Sequence, residues 1–368
     1  MEAVVTPDPT FWSGKRVFLT GHTGFKGAWL WLWLQRLGAI PTGYALDADP
    51  SPNLWREIAS GQQGAFVGDI RDVQTLERRM ADAQPDIVLH LAAQALVRRS
   101  YNEPVETVTT NVVGTMNVLE AVRKTPGVRA VVSVTTDKVY RNREWVWPYR
   151  EDESLGGHDP YSASKACAEI VSSAWRDSFL SAAGVRLATA RAGNVIGGGD
   201  WSADRLLPDC IAALSKGEPI RIRNPHATRP WQHVLEPLSG YLRLAEALYQ
   251  DNDPAIADAW NFGPDPADVQ PVGWIADRMV GKWGDNARWE HIGDGGPHEA
   301  GLLAVDASKA AYRLGWRPRL SLGEALDWTI DWARRYQAGE PATDIVVDQI
   351  DQYEQKRKTP TSFEKENR

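Results

Sequence analysis

A tyrosine and a lysine four residues apart are the pair in this 368-residue chain best suited to moving a proton. Residues 161–165 read Tyr-Ser-Ala-Ser-Lys, and they are predicted to open a helix after the turn at 156–160. Positions i and i+4 share one helix face, so the phenol and the ammonium can enter the same site. A nearby positive charge lowers the pKa of a tyrosine from about 10 toward neutrality. The pair therefore predicts that Tyr161 is a general base for a hydroxyl proton and that Lys165 activates it.

A glycine-rich turn near the amino terminus is the second chemical feature. The apolar run 17–20 is typical of a strand, glycines follow at 21, 24 and 27, and an apolar stretch over 28–37 predicts a helix. This order presents backbone N–H groups to a pyrophosphate at a helix N-terminus. It predicts a dinucleotide site, although its Gly-x-x-Gly-x-x-Gly spacing differs from the commoner Gly-x-Gly-x-x-Gly.

An acidic residue indicates which dinucleotide binds. Asp47 follows the strand-like run ending at Leu46, twenty residues after Gly27. A carboxylate near this offset accepts hydrogen bonds from the adenosine ribose of NAD and repels the extra phosphate of NADP. Lys26 and Arg71 could each neutralise that phosphate, so the residues leave NADP open. We expect NAD.

Composition excludes several classes of function. The formal net charge is −7, with 43% hydrophobic and 24% charged residues, and no basic run is interleaved with aromatics, so we expect no nucleic-acid partner. Cys167 and Cys210 lack metal-ligand spacing; we expect buried free thiols, no metal, and a reducing, cytoplasmic location. The apolar run 28–34 is too short to span a bilayer, and no signal peptide is evident, so we expect no membrane partner.

The elements that would position these residues alternate between strand and helix. Strand-like runs recur at 66–67, 87–91, 130–134 and 185–189. They predict an α/β fold with a doubly wound parallel, Rossmann-type sheet over residues 12–192. Glycines and prolines then break the chain, predicting a smaller, loop-rich C-terminal substrate domain over 193–349, from which 234–262 could return to the first domain. We expect a polar, frayed tail over 350–368.

Tryptophan is unusually frequent, with seventeen residues. Trp29, Trp31 and Trp33 fall on different sides of the helix predicted after the glycine turn. This placement predicts a helix that is covered on most of its faces by core or interface packing.

Together, the glycine turn and the Tyr/Lys pair resemble the extended short-chain dehydrogenase/reductase family, which acts largely on nucleotide sugars. The resemblance runs from about residue 15 to about residue 340 and includes the segments 68–70 (Gly-Asp-Ile), 90–94 (His-Leu-Ala-Ala-Gln) and 110–115. It implies an NAD site. The residues it assigns to the cofactor are Gly21, Thr23, Gly24, Phe25, Lys26, Gly27, Asp47, Asp69, Ile70, Leu91, Ala92, Ala93, Asn111, Tyr161 and Lys165.

A finer resemblance lies at the end of the predicted fifth strand. Family epimerases usually carry a serine or threonine there without a following acid pair, whereas nucleotide-sugar 4,6-dehydratases carry Thr-Asp-Glu or a similar triplet. This chain has Thr136, Asp137 and then Lys138 where most have Glu. With the segments 142–147, 197–201 and 229–234, the triplet resembles the dehydratases that act on CDP-glucose.

That resemblance implies an internal redox cycle with no net oxidation. A hydride leaves C4 of the glucose for NAD while Tyr161, helped by Thr136, accepts the O4 proton; water is lost across C5–C6, and the hydride returns to C6. Asp137 is the implied acid for the departing C6 hydroxyl. Lys138 would be the C5 base if it were neutral, or it would stabilise the enolate, and the residues leave both roles open.

The resemblance also implies a nucleotide site and partners. Asn194, Arg205, Arg223 and Arg229 are assigned to the nucleotide diphosphate, for which guanidinium groups offer paired donors. We expect a homodimer or homotetramer. The alternatives are an epimerase or dehydratase acting on another nucleotide sugar, and a non-catalytic relative that senses the dinucleotide. Asp137 argues against an epimerase, and the presence of both Tyr161 and Lys165 argues against a sensor.

Overall fold

The computed structural model describes residues 6–49, 52–251, 253–284, 286–293 and 302–356. The strands are β1 (Arg16–Thr20), β2 (Ile40–Ala45), β3 (Ala65–Val67), β4 (Ile87–His90), β5 (Ala130–Val134), β6 (Arg186–Ala192), β7 (Val195–Ile196), β8 (Ile220–Ile222), β9 (Thr228–Arg229), β10 (Gln232–His233), β11 (Ala259–Phe262), β12 (Gln270–Pro271) and β13 (Trp289–His291).

The α-helices are α1 (Pro9–Trp12), α2 (Phe25–Arg36), α3 (Leu54–Ile58), α4 (Val73–Ala83), α5 (Val97–Asn102), α6 (Pro104–Val108), α7 (Gly114–Lys124), α8 (Pro160–Trp175), α9 (Leu206–Ser215), α10 (Leu235–Gln250), α11 (Val272–Trp283), α12 (Ser308–Leu314), α13 (Leu322–Gln337) and α14 (Ala342–Gln355). Single turns of π-helix cover Thr109–Val113 and Arg176–Leu180, and 3-10 turns cover Asp137–Val139, Pro254–Ile256 and Pro266–Asp268.

Seven strands form one sheet in the order β11-β6-β5-β4-β1-β2-β3. All neighbouring strands in it are parallel. The strand order reverses between β1 and β4, and in such sheets ligands bind at that point, outside the carboxyl ends of the strands. The predicted α/β fold with a doubly wound, Rossmann-type sheet is confirmed.

Helix α2 is buried along most of its length, in contact with α3, α10 and α14. Trp29, Trp31 and Trp33 have no exposed surface, so the prediction of a helix covered on most faces is confirmed. Each indole N–H donates a hydrogen bond, and the acceptors are the carbonyl of Gly198 (3.0 Å), Oε1 of Gln62 (2.9 Å) and Oε1 of Glu354 (2.8 Å). The helix that follows the glycine turn is therefore held firmly against one face of the sheet.

A second apolar core lies beyond β6. It is built by α9, α11 and one side of α13 around β8 and β13. Two later segments lie on the large sheet instead, because α10 packs on β5 and β6 and β11 pairs with β6. The second core thus faces the carboxyl ends of the strands. The chain leaves the large sheet after β6 and returns to it with α10 and β11.

Two predictions need correction. The tail expected from residue 350 begins too early, because α14 continues to Gln355 and buries Ile350 and Tyr353 against α2 and α3; residues 357–368 lie outside the described ranges. Both cysteines are free thiols, but only Cys210 is buried, and Cys167 lies on the solvent-facing side of α8.

Within the described ranges, every helix is too short or too polar to serve as a membrane span.

Candidate active site

The glycine turn joins β1 to α2, and two of its glycines are required by the packing of the protein itself. Gly21 has a φ of +78°, and a Cβ there would lie 2.7 Å from the amide nitrogen of Ala92. A Cβ on Gly27 would lie 2.0 Å from the carbonyl oxygen of Gly21. Gly24 is different, since its Cβ would meet only that same oxygen at 3.5 Å, an ordinary contact.

The space in front of Gly24 fits a pyrophosphate. Gly24 is exposed and occupies the N-cap of α2, where none of the described side chains caps the helix. The N–H groups of the first turn remain free to bind a ligand, and the helix dipole favours an anion at this end. The open glycine and the free donors together fit a dinucleotide such as NAD.

The next strand end carries the predicted ribose ligand. Asp47 lies just beyond β2 with its side chain 74% exposed, and Arg56 Nη2 lies 3.4 Å from its Oδ2. Thr23 Oγ1 donates to the carbonyl of Leu46 (3.0 Å), which holds the glycine turn beside Asp47. An exposed carboxylate at this place can accept hydrogen bonds from ribose hydroxyls.

Asp69 and Ile70 follow β3 at the same edge of the sheet. Arg71 binds both carboxylate oxygens of Asp69, with Nε to Oδ1 at 3.0 Å and Nη2 to Oδ2 at 2.6 Å. Ile70 is buried against Gly114, where an added Cβ would lie 2.5 Å from its Cδ1. Arg71, one of the two cations that could neutralise an NADP phosphate, is therefore already paired with Asp69.

The loop after β4, residues 91–93, borders the turn from the other side. Ala92 N donates to Thr20 Oγ1 (3.2 Å). His90, at the end of β4, is hydrogen-bonded through Nδ1 to Thr20 (2.7 Å) and through Nε2 to Thr115 (3.0 Å). Burial lowers the pKa of His90 to about 3, so this histidine is a neutral link between β1 and α7.

Asn111 lies in the π-helical turn between α6 and α7 and is fully buried. It accepts from Gln94 N (2.8 Å) and donates to the Gln94 carbonyl (3.0 Å) and to Ser164 Oγ (2.9 Å). These bonds brace the loop after β4 against α8, the helix that bears Tyr161.

The carboxyl ends of the strands open on a cleft of about 1770 Å³ between the large sheet and the second core. It exceeds the about 300–1,000 Å³ of a typical small-molecule pocket, which suits an elongated ligand. Predicted site residues in its lining are Phe25, Lys26, Thr136, Lys138, Tyr161, Asn194, Arg205, Arg223 and Arg229. The structure thus brings three of the predicted catalytic residues and the four predicted nucleotide-binding residues to one cleft. The other two predicted catalytic residues, Asp137 and Lys165, are buried and are not part of its lining.

Tyr161 is the second residue of α8, and it lines the cleft together with Thr136. Burial raises the pKa of Tyr161 to about 12, against the opposing effect of Thr136. Burial also lowers the pKa of Lys165 to about 8, against the opposing charge of Glu169. Lys165 Nζ donates to the carbonyl of Val134 (3.0 Å). The prediction that Lys165 moves the pKa of Tyr161 toward neutrality is wrong for these side chains, because loss of water favours the neutral form of each.

Asp137 and Lys138 form a 3-10 turn directly after β5. Asp137 is fully buried; its Oδ1 accepts from Thr136 Oγ1 (3.0 Å) and lies 3.4 Å from Lys138 Nζ. Lys138 Nζ also donates to Asn194 Oδ1 (3.2 Å). Asp137 Oδ2 is buried without a hydrogen-bond partner among the described residues. A buried carboxylate with a bare oxygen is costly, and such groups are typical of functional sites.

The guanidinium groups of the cleft lie on the side of the second core. Arg205 Nη1 lies 3.1 Å from Oδ2 of the buried Asp200, which fixes its direction. Arg229 is buried and donates to the carbonyl of Thr228 (2.8 Å). Asp200, which positions Arg205, is not among the predicted site residues, although Asp200 lies inside the segment 197–201 that carried part of the resemblance.

A metal site has no support in the part of the chain that is described, where no three His, Cys, Asp or Glu side chains come together to hold an ion.

Several known proteins are similar to this chain over most of its length. A CDP-glucose 4,6-dehydratase of Salmonella typhimurium is 51% identical over 339 residues, covering 90% of this chain and 94% of that protein. A dTDP-glucose 4,6-dehydratase of Xanthomonas campestris pv. campestris is 28% identical, covering 85% of this chain and 92% of its own. The solved structure of an epimerase from Methanothermobacter thermautotrophicus has a similar fold, with a TM-score of 0.78 at 23% identity over 90% of this chain and 96% of that one. The model of the NAD dependent epimerase/dehydratase family matches residues 17–261. The chain belongs to this family, that of the extended short-chain dehydrogenases/reductases which its motifs resemble.

Proposed function

We propose that this protein is an NAD-dependent 4,6-dehydratase that converts CDP-D-glucose to CDP-4-dehydro-6-deoxy-D-glucose. The observation that carries the proposal is the 51% identity to a CDP-glucose 4,6-dehydratase over 90% of the chain. The much lower identity, 28%, to a dTDP-glucose enzyme favours cytidine as the base. An Asp-Lys pair after β5 supports the dehydratase over an epimerase.

The cofactor and the first proton transfer follow from the glycine turn and α8. NAD bound along the glycine turn would supply the acceptor for the C4 hydride and the donor that returns it to C6. Tyr161 takes the O4 proton, and Thr136, which lines the same cleft, orients the hydroxyl. Tyr161 must be a phenolate to accept this proton, and because burial raises the pKa of Tyr161 to about 12, the phenol first gives its own proton to solvent. Thr136 and Arg205 are the described groups that favour this loss.

The elimination of water needs an acid at C6 and a positive charge to stabilise the enolate. Asp137 is our candidate acid, since its unpartnered Oδ2 is free to carry a proton. Lys138 Nζ is engaged in contacts with Asp137 Oδ1 (3.4 Å) and Asn194 Oδ1 (3.2 Å). That pairing opposes the C5-base role considered for Lys138 and supports enolate stabilisation, because a base needs a free lone pair.

The diphosphate would bind on the side of the second core. Arg205 and Arg229 offer paired N–H donors at the cleft wall, and Arg223 and Asn194 lie in the same lining. Arginine suits a diphosphate because its planar group binds two oxygens at once.

We also propose a cytoplasmic homodimer or homotetramer. Free thiols at Cys167 and Cys210 support a reducing compartment. Exposed apolar side chains on α6, the π turn and α8, namely Val105, Val108, Val113 and Ile170, support a surface for a second copy. Light scattering coupled to gel filtration would measure the mass; a monomer at micromolar concentration would contradict this part of the proposal.

A substrate panel tests the function. The protein would be incubated separately with CDP-glucose, dTDP-glucose, UDP-glucose and GDP-mannose, and the 4-keto-6-deoxy product would be measured by its absorbance in alkali and by mass. We expect loss of one water from CDP-glucose and at least about 10-fold slower turnover of the others, the effect of about 1.4 kcal/mol of lost base recognition. A product of unchanged mass would identify an epimerase, and no product from any of the four would reject both enzymes.

A further inference from the structure

Glu169 and Arg191 form a buried ion pair close to the turn after β5. Their side chains are each 4% exposed. Arg191 Nε donates to Glu169 Oε1 (3.0 Å) and Nη2 donates to Oε2 (2.9 Å), and paired bonds of this kind fix the relative direction of the two side chains. Such a pair is weak evidence for stability, because the cost of removing both charges from water offsets much of their attraction. The groups that the pair contacts indicate another role.

Glu169 connects α8 to the end of β5. It lies eight residues after Tyr161, a spacing that places both on one face of the helix. Glu169 Oε1 accepts a hydrogen bond from Thr135 Oγ1, and Oε2 accepts one from Thr189 Oγ1 on β6 (2.6 Å). Thr135 immediately precedes the turn formed by residues 136–139. The carboxylate therefore holds the first end of that turn against the helix that bears Tyr161.

Arg191 holds the second end of the same turn. Its Nη1 donates to Tyr140 Oη (2.9 Å) and to the carbonyl of Glu151 (2.9 Å). Tyr140 directly follows the turn, and its hydroxyl donates onward to Asn261 Oδ1 (2.6 Å). Thr135 and Tyr140 thus flank the turn, and each is hydrogen-bonded to one member of the same ion pair.

The hydrogen bonds inside the turn are long. Val139 N donates to the carbonyl of Thr136 at 3.4 Å, and Lys138 N donates to Thr136 Oγ1 at 3.4 Å. Both distances exceed those of ordinary N–H···O bonds. Asp137 Oδ2 has no partner among the described residues. The direction of the side chains in the turn therefore depends on the contacts made at its two ends.

We propose that Glu169 and Arg191 are positioning residues for the reaction. Their ion pair fixes both ends of the turn and so keeps the side chains of residues 136–138 in their places after β5. Neither residue lines the cleft, so each acts through Thr135 or Tyr140 and not on the sugar. The proposal rests on the proposed 4,6-dehydratase function, because that function gives the turn its chemical roles.

Two threonine substitutions test the first end of the turn. Removing Glu169 itself would leave Arg191 as a buried unpaired charge, which destabilises the fold strongly. Thr135→Val removes the bond next to the turn. Thr189→Val is the matched control, because it removes a bond of the same kind to the same carboxylate from the interior of β6. Both variants keep the ion pair, so their urea midpoints should fall by similar amounts.

Steady-state kinetics with CDP-glucose separate positioning from stability. We expect Thr135→Val to lose about 10–10²-fold in kcat, the effect of a misplaced catalytic group, with KM little changed. Thr189→Val should keep a kcat close to that of wild type. Equal loss of kcat in the two variants, or full kcat in Thr135→Val, would overturn the proposal. A rise in KM at unchanged kcat would also overturn it, because that pattern reports lost substrate binding.

Tyr140→Phe tests the second end. It keeps the ring, which stacks on Tyr149 with centroids 5.1 Å apart, and removes the bond from Arg191. We expect a smaller loss of kcat, about 10-fold, because the carbonyl of Val139 at this end also accepts from Gly156 N (2.8 Å). A kcat equal to that of wild type would overturn the part of the proposal that concerns Arg191.

Amide hydrogen exchange examines the turn without catalysis. Mass spectrometry would follow peptides that cover residues 135–140 in wild type, Thr135→Val and Thr189→Val, all without substrate. We expect about fivefold faster exchange in Thr135→Val, the effect of losing the net contribution of one hydrogen bond, and no such change in Thr189→Val. The same exchange in all three proteins would overturn the proposal. If wild type makes no keto product from CDP-glucose, the proposed function fails, whereas the exchange rates still decide whether the ion pair positions the turn.

Discussion

The body of α2 and the turn after β5 are both buried, but their polar groups differ in whether they have hydrogen-bond partners. In α2, the three tryptophans are fully buried and each indole N–H has an acceptor at 2.8–3.0 Å. After β5, Asp137 is buried just as completely, yet its Oδ2 has no described partner. In α2 every tryptophan N–H is hydrogen-bonded, whereas after β5 one buried carboxylate oxygen has no partner among the described residues.

This difference distinguishes residues that stabilise the fold from residues that act on a bound ligand. Satisfied, close-packed groups stabilise the fold, whereas a buried group with an unmet hydrogen bond costs free energy and is retained where a ligand completes it. The shifted pKa values of Lys26 and Tyr161 belong to the same edge of the sheet. We therefore expect substitutions at this edge to change rates far more than stability, and substitutions in α2 to do the reverse.

Tyr161→Phe gives the largest expected change in rate. It removes the acid/base hydroxyl but keeps the buried ring, so C4 oxidation should fall about 10²–10⁴-fold, the usual contribution of a general base. The rate of NADH formation with CDP-glucose measures it. The control is the urea midpoint, which should stay close to that of wild type; oxidation within tenfold of wild type would remove Tyr161 from the mechanism.

Trp31→Ala should have the opposite effect to Tyr161→Phe, a large loss of stability with little change in turnover. Trp31 packs against Trp55, with ring centroids 5.2 Å apart, and donates to Gln62. Removing so large a buried ring should cost about 3–5 kcal/mol of unfolding free energy, measured by urea denaturation. Trp31→Phe, which keeps a ring, should cost less. At a temperature where the variant stays folded, its turnover should remain within a few-fold of wild type; a large loss of rate there would break the separation of the two regions.

The features that the sequence predicts best are those that depend only on the spacing of nearby residues. The three glycines and the Tyr161–Lys165 pair were predictable because a turn and one helix face place them without help from the rest of the chain. The parallel sheet followed from strand-helix alternation in the same way. The return of α10 and β11 to that sheet was only one alternative, because it depends on where the second core leaves room.

Direction and burial of side chains were not predictable. Lys26 belongs by spacing to the glycine turn, and only the packed cleft places its Nζ near the ring of Tyr241, in the same lining as Tyr161. The raised pKa of Tyr161 has a similar origin, since burial of the phenol outweighs the opposing effects of Thr136 and Arg205. Asn111 makes its bonds with Gln94 and Ser164, and those contacts exist only after three segments have met.

Asp137→Asn tests the strand edge with the smallest expected change in stability. The amide keeps an oxygen for Thr136 and Lys138 and removes the buried charge. The lost desolvation cost offsets the lost ion pair, so the urea midpoint should move far less than in Trp31→Ala. Water loss should slow about 10²-fold, because an amide, unlike a carboxylate, cannot take up a proton and pass it to the C6 oxygen, while C4 oxidation continues. Bound NADH should then build up during turnover and be seen at 340 nm in stopped flow. Equal slowing of both steps, with no NADH signal, would mean that Asp137 only positions Thr136 and Lys138. A large drop in the urea midpoint would instead show that this carboxylate stabilises the fold, and the contrast with α2 would fail.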